Sequence, residues 1–129
     1  MVVNNTNMRG FYCGYDMFKY MYEILLKNAM RDRKKYFLII FELKSKEAIE
    51  IQMHVMNQLK EIIATTLRMN DLFSKINKKQ YIILVNCHEM DNAYTIIQRI
   101  NKKFYTKYNS NTYRLNYDVA NAKLSYRNK

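Results

Sequence analysis

The sequence predicts an α+β domain on the ferredoxin-like, split βαβ plan, a mostly antiparallel sheet with helices and an additional helix at the N-terminal end. Three observations predict it. Apolar residues recur at helical spacing in three segments, short β-rich runs lie between those segments, and two of these runs flank the turn-like Asn77-Lys78-Lys79. A chain of 129 residues, 49% of them hydrophobic, is long enough for one continuous core and short for two. Residues 1–129 are therefore expected to form a single domain, ordered from about residue 10 to residue 124, with a polar N-terminal tail and a fraying Tyr126-Arg127-Asn128-Lys129 end.

In the first helix, Asp16 is a suitable N-cap, and Met17, Met21, Ile24, Leu25 and Met30 recur near helical spacing. The stretch Arg31-Asp32-Arg33-Lys34 ends it with a basic charge that suits the helix dipole. Tyr36 to Leu43 is an almost unbroken apolar run and reads as a central strand covered on both faces. Ser45 can cap a second, longer helix whose stripe is Ile49, Met53, Met56, Leu59, Ile63 and Leu67, widened by Val55, Ile62 and Thr66.

Leu72 to Ile76 and Gln80 to Val85 make two strands of an antiparallel hairpin. Asp91 or Asn92 then starts a third helix with Ala93, Ile96, Ile97, Ile100 and Phe104 on one face. In the last strand Tyr113, Leu115, Tyr117 and Val119 alternate with Arg114, Asn116 and Asp118, the pattern of one buried and one wet face.

No run of about 18 apolar residues is present, and Met1-Val2-Val3-Asn4-Asn5-Thr6-Asn7 lacks the apolar centre of a signal peptide, so a cytoplasmic protein is expected. Cys13 and Cys87 stand far apart without cysteine neighbours and read as reduced, partly buried thiols. The net charge of +11 would favour anionic partners. Its bases are scattered, though, as the short pairs Lys34-Lys35, Lys78-Lys79 and Lys102-Lys103, and a composition rich in Lys, Asn, Ile and Tyr is what an AT-rich genome produces. A solvated basic surface is favoured over direct nucleic-acid binding, which would need Lys78, Lys79, Lys102 and Lys103 on one face.

The segments Leu59-Lys60-Glu61-Ile62-Ile63, Leu67-Arg68-Met69-Asn70-Asp71 and Tyr81-Ile82-Ile83-Leu84, followed by a polar loop and the Ala93 to Phe104 helix, resemble GGDEF domains in order and spacing. Gly10 to Phe18, Tyr22-Glu23 and the Tyr113-Arg114-Leu115-Asn116-Tyr117 strand are similar to degenerate GGDEF-like domains at the C-terminal end of bacterial transcriptional regulators with winged-helix and tetratricopeptide-like regions. The resemblance implies a diguanylate-cyclase-like fold in a bacterial signal-transduction or transcription-regulating protein. The partners it implies are upstream DNA-binding or sensory domains, together with self-association, for which the first helix is a candidate surface.

Departures from the family pattern fall on its chemistry. The degenerate hairpin reads Asn77, Lys78, Lys79, Gln80, Tyr81, so two glycines that let backbone approach a nucleotide and a metal-holding acid become an amide and two cations. The strand Phe37 to Leu43 supplies only Glu42 where metal-assisted phosphoryl chemistry needs paired carboxylates, and the Lys44 to Gln52 segment lacks the family's Asn-Asp and Gly-Asp elements. The reading at this level is a non-catalytic regulatory or interaction domain: no enzyme, no catalytic residues, no metal and no cofactor.

Arg68 and Asp71 match the RxxD element, which the resemblance makes a cyclic di-GMP site. An Arg fork pairs with phosphate or a guanine edge, and a carboxylate accepts from guanine N–H groups. The alternative gives both residues local work, Arg68 at the helix end and Asp71 in the turn. Cys87-His88-Glu89 is a poor zinc or nucleophile candidate, because only Cys13 and His54 could supplement it and adjacent side chains at a strand end diverge.

Overall fold

The computed structural model of the chain describes residues 9–124; the tail through Met8 and the Tyr126–Lys129 end, both expected to fray, lie outside these. The order is β1 (Phe11–Tyr12), α1 (Tyr15–Ala29), β2 (Tyr36–Ser45), α2 (Ile49–Thr66), β3 (Leu72–Asn77), β4 (Gln80–Asn86), α3 (Met90–Lys107) and β5 (Tyr113–Asn121). The strands form one five-stranded sheet in the order β1-β3-β4-β2-β5. All pairings are antiparallel except β1 with β3, where Phe11 lies against Leu72 and Tyr12 against Phe73. The α+β, split βαβ reading holds, and β1 is an addition to it.

β2 organises the sheet because it pairs along its length with both β4 and β5. Its alternate residues Phe37, Ile39, Phe41 and Leu43 are buried on the face that α2 and α3 cover. There they meet Met56, Leu59 and Ile63 of α2 and Ala93, Ile97, Ile100 and Phe104 of α3. The other face is covered more thinly. Leu38 and Ile40, half-buried, join Ile82, Leu84 and Leu72 in a second cluster completed by Cys13 and Phe18. The α3 stripe is buried as its periodicity predicts, and two separate apolar clusters explain why β2 reads as covered on both faces.

Several local expectations need correction. Gly14, not Asp16, is the N-cap of α1, and Asp16 lies in the first turn. The helix starts two residues earlier than a cap at Asp16 would place it, and its inward face is Phe18, Met21, Tyr22, Leu25 and Leu26, while Met17, Ile24 and Met30 face outward. Ala48, not Ser45, caps α2; Ser45 ends β2, and its hydroxyl accepts the Glu47 N–H at 3.0 Å in a tight turn. Ile49 and Met53 consequently fall on the exposed first turns of α2, ahead of the buried Val55-Met56.

α3 begins at Met90, with Glu89 as N-cap in a capping box with Asn92 in place of an Asp91 or Asn92 start. In β5 only Leu115 is fully buried and Tyr117 is exposed, as befits an edge strand with one paired side. Cys13 and Cys87 are free, buried thiols in different clusters.

Two contacts fix the chain ends of the described fold. Arg9 and Gly10 donate their N–H groups to the Ala64 carbonyl at 2.9 Å, which brings Gly10 against Leu67. The Tyr22 hydroxyl accepts the Lys123 N–H at 2.8 Å and donates to the Lys123 carbonyl, tying α1 to the chain just past β5. Among the described residues, no helix is long and apolar enough to cross a membrane.

Candidate functional site

α2 ends at Thr66 because Leu67 turns to an extended conformation, its N–H still bonded to Ile63. Arg68 and Asp71 form the turn that follows. The Asp71 N–H donates to the Arg68 carbonyl at 3.0 Å, and the Asp71 Oδ2 accepts the Arg68 N–H at 3.0 Å. Arg68 Nε reaches the same oxygen at 3.4 Å. Asp71 is only 3% exposed, so it acts on the backbone of this junction and on its arginine. Its own carbonyl accepts the Phe11 N–H at 2.8 Å, carrying the junction into β1.

The Arg68 side chain leans across to the end of β4 and donates to the Asn86 carbonyl while staying more than half exposed. It borders a shallow basin of about 250 Å³ lined by Arg68, Cys87, His88, Asn92, Thr95 and Arg99 beside Ile96. The sequence reading missed Arg99. Asn92, Thr95 and Arg99 recur at three- and four-residue spacing, a polar stripe on α3 that marks one side of the helix, but nothing in sequence connects that stripe to Arg68. Two guanidiniums and an imidazole around one concavity give it the chemistry of an anion receiver.

Within the basin Cys87 is buried, and burial pushes its thiol up, partly offset by the Arg68 charge. This disfavours the thiolate a nucleophile needs. His88 lines the basin while Glu89 is occupied in capping α3, so the Cys87-His88-Glu89 run is divided among separate tasks.

The hairpin residues lie elsewhere. Asn77 Nδ2 donates to Gln80 Oε1 at 2.7 Å, and Asn77 Oδ1 accepts the Lys79 N–H at 2.9 Å, closing the two-residue Lys78-Lys79 turn. The Lys79 carbonyl accepts the Leu43 N–H at 2.9 Å. Tyr81 turns inward, 1% exposed, and its hydroxyl donates to the Met56 carbonyl at 2.8 Å. Burial drives its phenol pKa well upward. Gln80 and Asn86 are the two ends of β4. The hairpin tip and the Arg68 basin are thus roughly 20 Å apart along that strand.

Glu42, opposite Gln80, is 4.0 Å from the Lys44 ammonium. Among the described residues no three His, Cys, Asp or Glu side chains gather as a metal-ligand set. The basic pairs stay dispersed: Lys78 and Lys79 on the hairpin, Lys102 and Lys103 on α3, with the Lys103 ammonium donating to the Thr66 hydroxyl at 2.9 Å.

The chain has the GGDEF-like, diguanylate-cyclase-like fold. It is similar to the active GGEEF domain of a diguanylate cyclase from Vibrio cholerae, with a TM-score of 0.71 and 12% identity over 91% of this chain and 80% of that one. It is also similar to a DGC protein from Thermotoga maritima, with a TM-score of 0.66 and 14% identity over 89% and 82% of the two chains. A third likeness is to the diguanylate cyclase SiaD of Pseudomonas aeruginosa, solved in complex with its activator SiaC. There the TM-score is 0.70 and the identity 11%, over 88% of this chain and 48% of that one. No protein-family model matches the sequence, and no curated protein matches it.

These likenesses correct one expectation. The sequence reading that the chain is no enzyme is overturned, because the solved structures named above that share its fold are diguanylate cyclases and one of them is an active domain. The residues at the hairpin tip describe a local change of charge and do not by themselves define the activity of the fold.

Proposed function

We propose that this GGDEF-like domain serves a regulatory role in a bacterial signalling protein or transcriptional regulator, and that it receives cyclic di-GMP at the Arg68 basin. One observation carries the reading: Arg68 and Arg99, remote in sequence, border the same concavity. In this reading the two arginines meet the phosphodiesters, whose paired non-bridging oxygens suit guanidinium forks. Asp71 contributes by holding Arg68 and does not face the ligand, since its buried Oδ2 is already occupied. Upstream DNA-binding or sensory domains are the proposed recipients of the signal, and protein partners are in keeping with a neighbour of this fold solved with an activator.

Titration calorimetry of the purified chain with cyclic di-GMP tests the proposal. Binding is expected, with a loss of about tenfold or more in affinity for Arg68→Ala and for Arg99→Ala, as charged contacts to phosphate are removed. Lys78→Ala/Lys79→Ala should leave the affinity within about twofold at moderate salt, because the hairpin tip lies at the other end of β4. Absence of heat at high ligand concentration, or unchanged affinity in both arginine variants, overturns the proposal.

A further inference from the structure

α1 is apolar on two sides. Its inward side, around Phe18, Tyr22 and Leu25, belongs to the second cluster. Its outward side presents Met17, Tyr20 and Ile24 with 51%, 64% and 41% of their surfaces exposed. These three recur at intervals of three and four residues and so lie along one line of the helix. The line lies on the solvent side of the helix, away from the face that packs on the sheet.

The charges beside that line alternate in order along the helix: Asp16, Lys19, Glu23, Lys27. Asp16 and Lys19 pair within the helix at 3.7 Å, with both side chains well exposed. Acid and base at one end of such a row mirror base and acid at the other. When two copies of the helix run antiparallel about a two-fold axis at the level of Tyr20 and Met21, the same flank of each faces its counterpart, as in antiparallel helix pairs generally. Asp16 then stands opposite Lys27 of the second copy, and Lys19 opposite Glu23 of the second copy. On the other flank Met17 comes beside Ile24 of the second copy, and the two Tyr20 rings meet near the axis. A parallel two-fold arrangement would instead set this charged flank against the other flank of the second copy and leave the row without its complement.

We infer that the outer face of α1 is a homodimer surface, in which a second copy of this chain packs its own α1 antiparallel through Met17, Tyr20 and Ile24, with Asp16–Lys27 and Lys19–Glu23 pairs setting the register. The occupant follows from self-complementarity, since the same row of charges read in reverse satisfies every member of this one. α1 is about 22 Å long. The contact is thus at the small end of specific interfaces, and the dimer is a concentration-dependent one.

Sedimentation equilibrium of the full chain over roughly 1–200 µM, the range in which a small interface assembles, tests the inference. The wild type is expected to pass from monomer to dimer. A chain carrying Asp16→Lys and Glu23→Lys should dimerise at least about tenfold more weakly, and so should one carrying Lys19→Glu and Lys27→Glu. The equimolar mixture of the two should regain association, because each reversed flank then meets its complement. Restoration by mixing separates a paired surface from a fold defect, and circular dichroism of each variant confirms the helix content. A wild type that stays monomeric throughout, or a mixture that associates no better than its separate components, overturns the inference. The experiment contains no nucleotide, so its outcome is independent of ligand binding at Arg68.

Discussion

The carboxylate of Asp71 holds Arg68 twice, through its backbone N–H at 3.0 Å and through its side-chain Nε at 3.4 Å, within a turn that Asp71 itself closes. The two residues therefore divide labour unequally. Asp71 is buried and structural, while Arg68 turns an exposed guanidinium toward the basin.

Asp71→Ala should cost about 1–3 kcal/mol, the penalty for leaving the Arg68 N–H at this nearly closed junction without its acceptor. Arg68→Ala should cost less than about 1 kcal/mol, since the exposed end of the pair is screened by solvent. Urea denaturation of both variants checks the asymmetry; equal losses would contradict it.

The two glycines of the chain should respond in opposite ways. A Cβ on Gly10 would sit 2.9 Å from Leu67 Cδ1 and 3.0 Å from Leu67 Cβ, whereas a Cβ on Gly14 meets nothing within 4 Å. Gly10→Ala is expected to destabilise by about 1–3 kcal/mol through overpacking. Gly14→Ala should stay within about 1 kcal/mol, losing only a modest N-cap preference. Thermal melts of the pair decide between these outcomes.

The corrected phase of α1 gives its own test. Phe18 is 2% exposed and Ile24 is on the outer face. Phe18→Ala should cost about 3–5 kcal/mol. Ile24→Ala should change the stability of the monomer by less than about 0.5 kcal/mol. Chemical denaturation at low protein concentration, below the range of self-association, is the suitable measurement.

Alkaline titration probes the buried acids. Burial raises the thiols of Cys13 and Cys87 above their ordinary 9.0 and the phenols of Tyr22, Tyr36, Tyr81 and Tyr108 above their ordinary 10.0. The folded state thus retains protons that the unfolded chain gives up. Stability from these groups is complete below about pH 9 and is lost as pH rises through their folded values. The urea midpoint should fall progressively above about pH 9, and Tyr81→Phe should make that fall shallower while costing about 0.5–1.5 kcal/mol near neutrality for the lost bond to Met56.

What the sequence disclosed follows from where its signals are local. The α3 stripe and the strands β2, β3 and β4 could be read because burial there imposes a strict period or an unbroken run. β1 escaped because Phe11–Tyr12 is too short to show a period and pairs with a strand far along the chain. The phase of α1 was misread because apolar residues stand on both of its sides. The Arg68–Asp71 turn was legible as either a ligand motif or a helix stop, and in the structure the two residues are hydrogen-bonded to each other within the turn. Arg99 was invisible because the basin is made by tertiary packing between the start of α3 and the end of α2.

The Tyr22–Lys123 clasp has a mechanical meaning. It joins residues 101 positions apart, so tension applied to the chain beyond β5 divides between the β2–β5 ladder and α1. A pull there loads the clasp in parallel with the edge strand, and α1 bears on the sheet as a brace. Removing one phenolic oxygen, as in Tyr22→Phe, would leave the sheet alone to carry the load and lower the force at which β5 peels away.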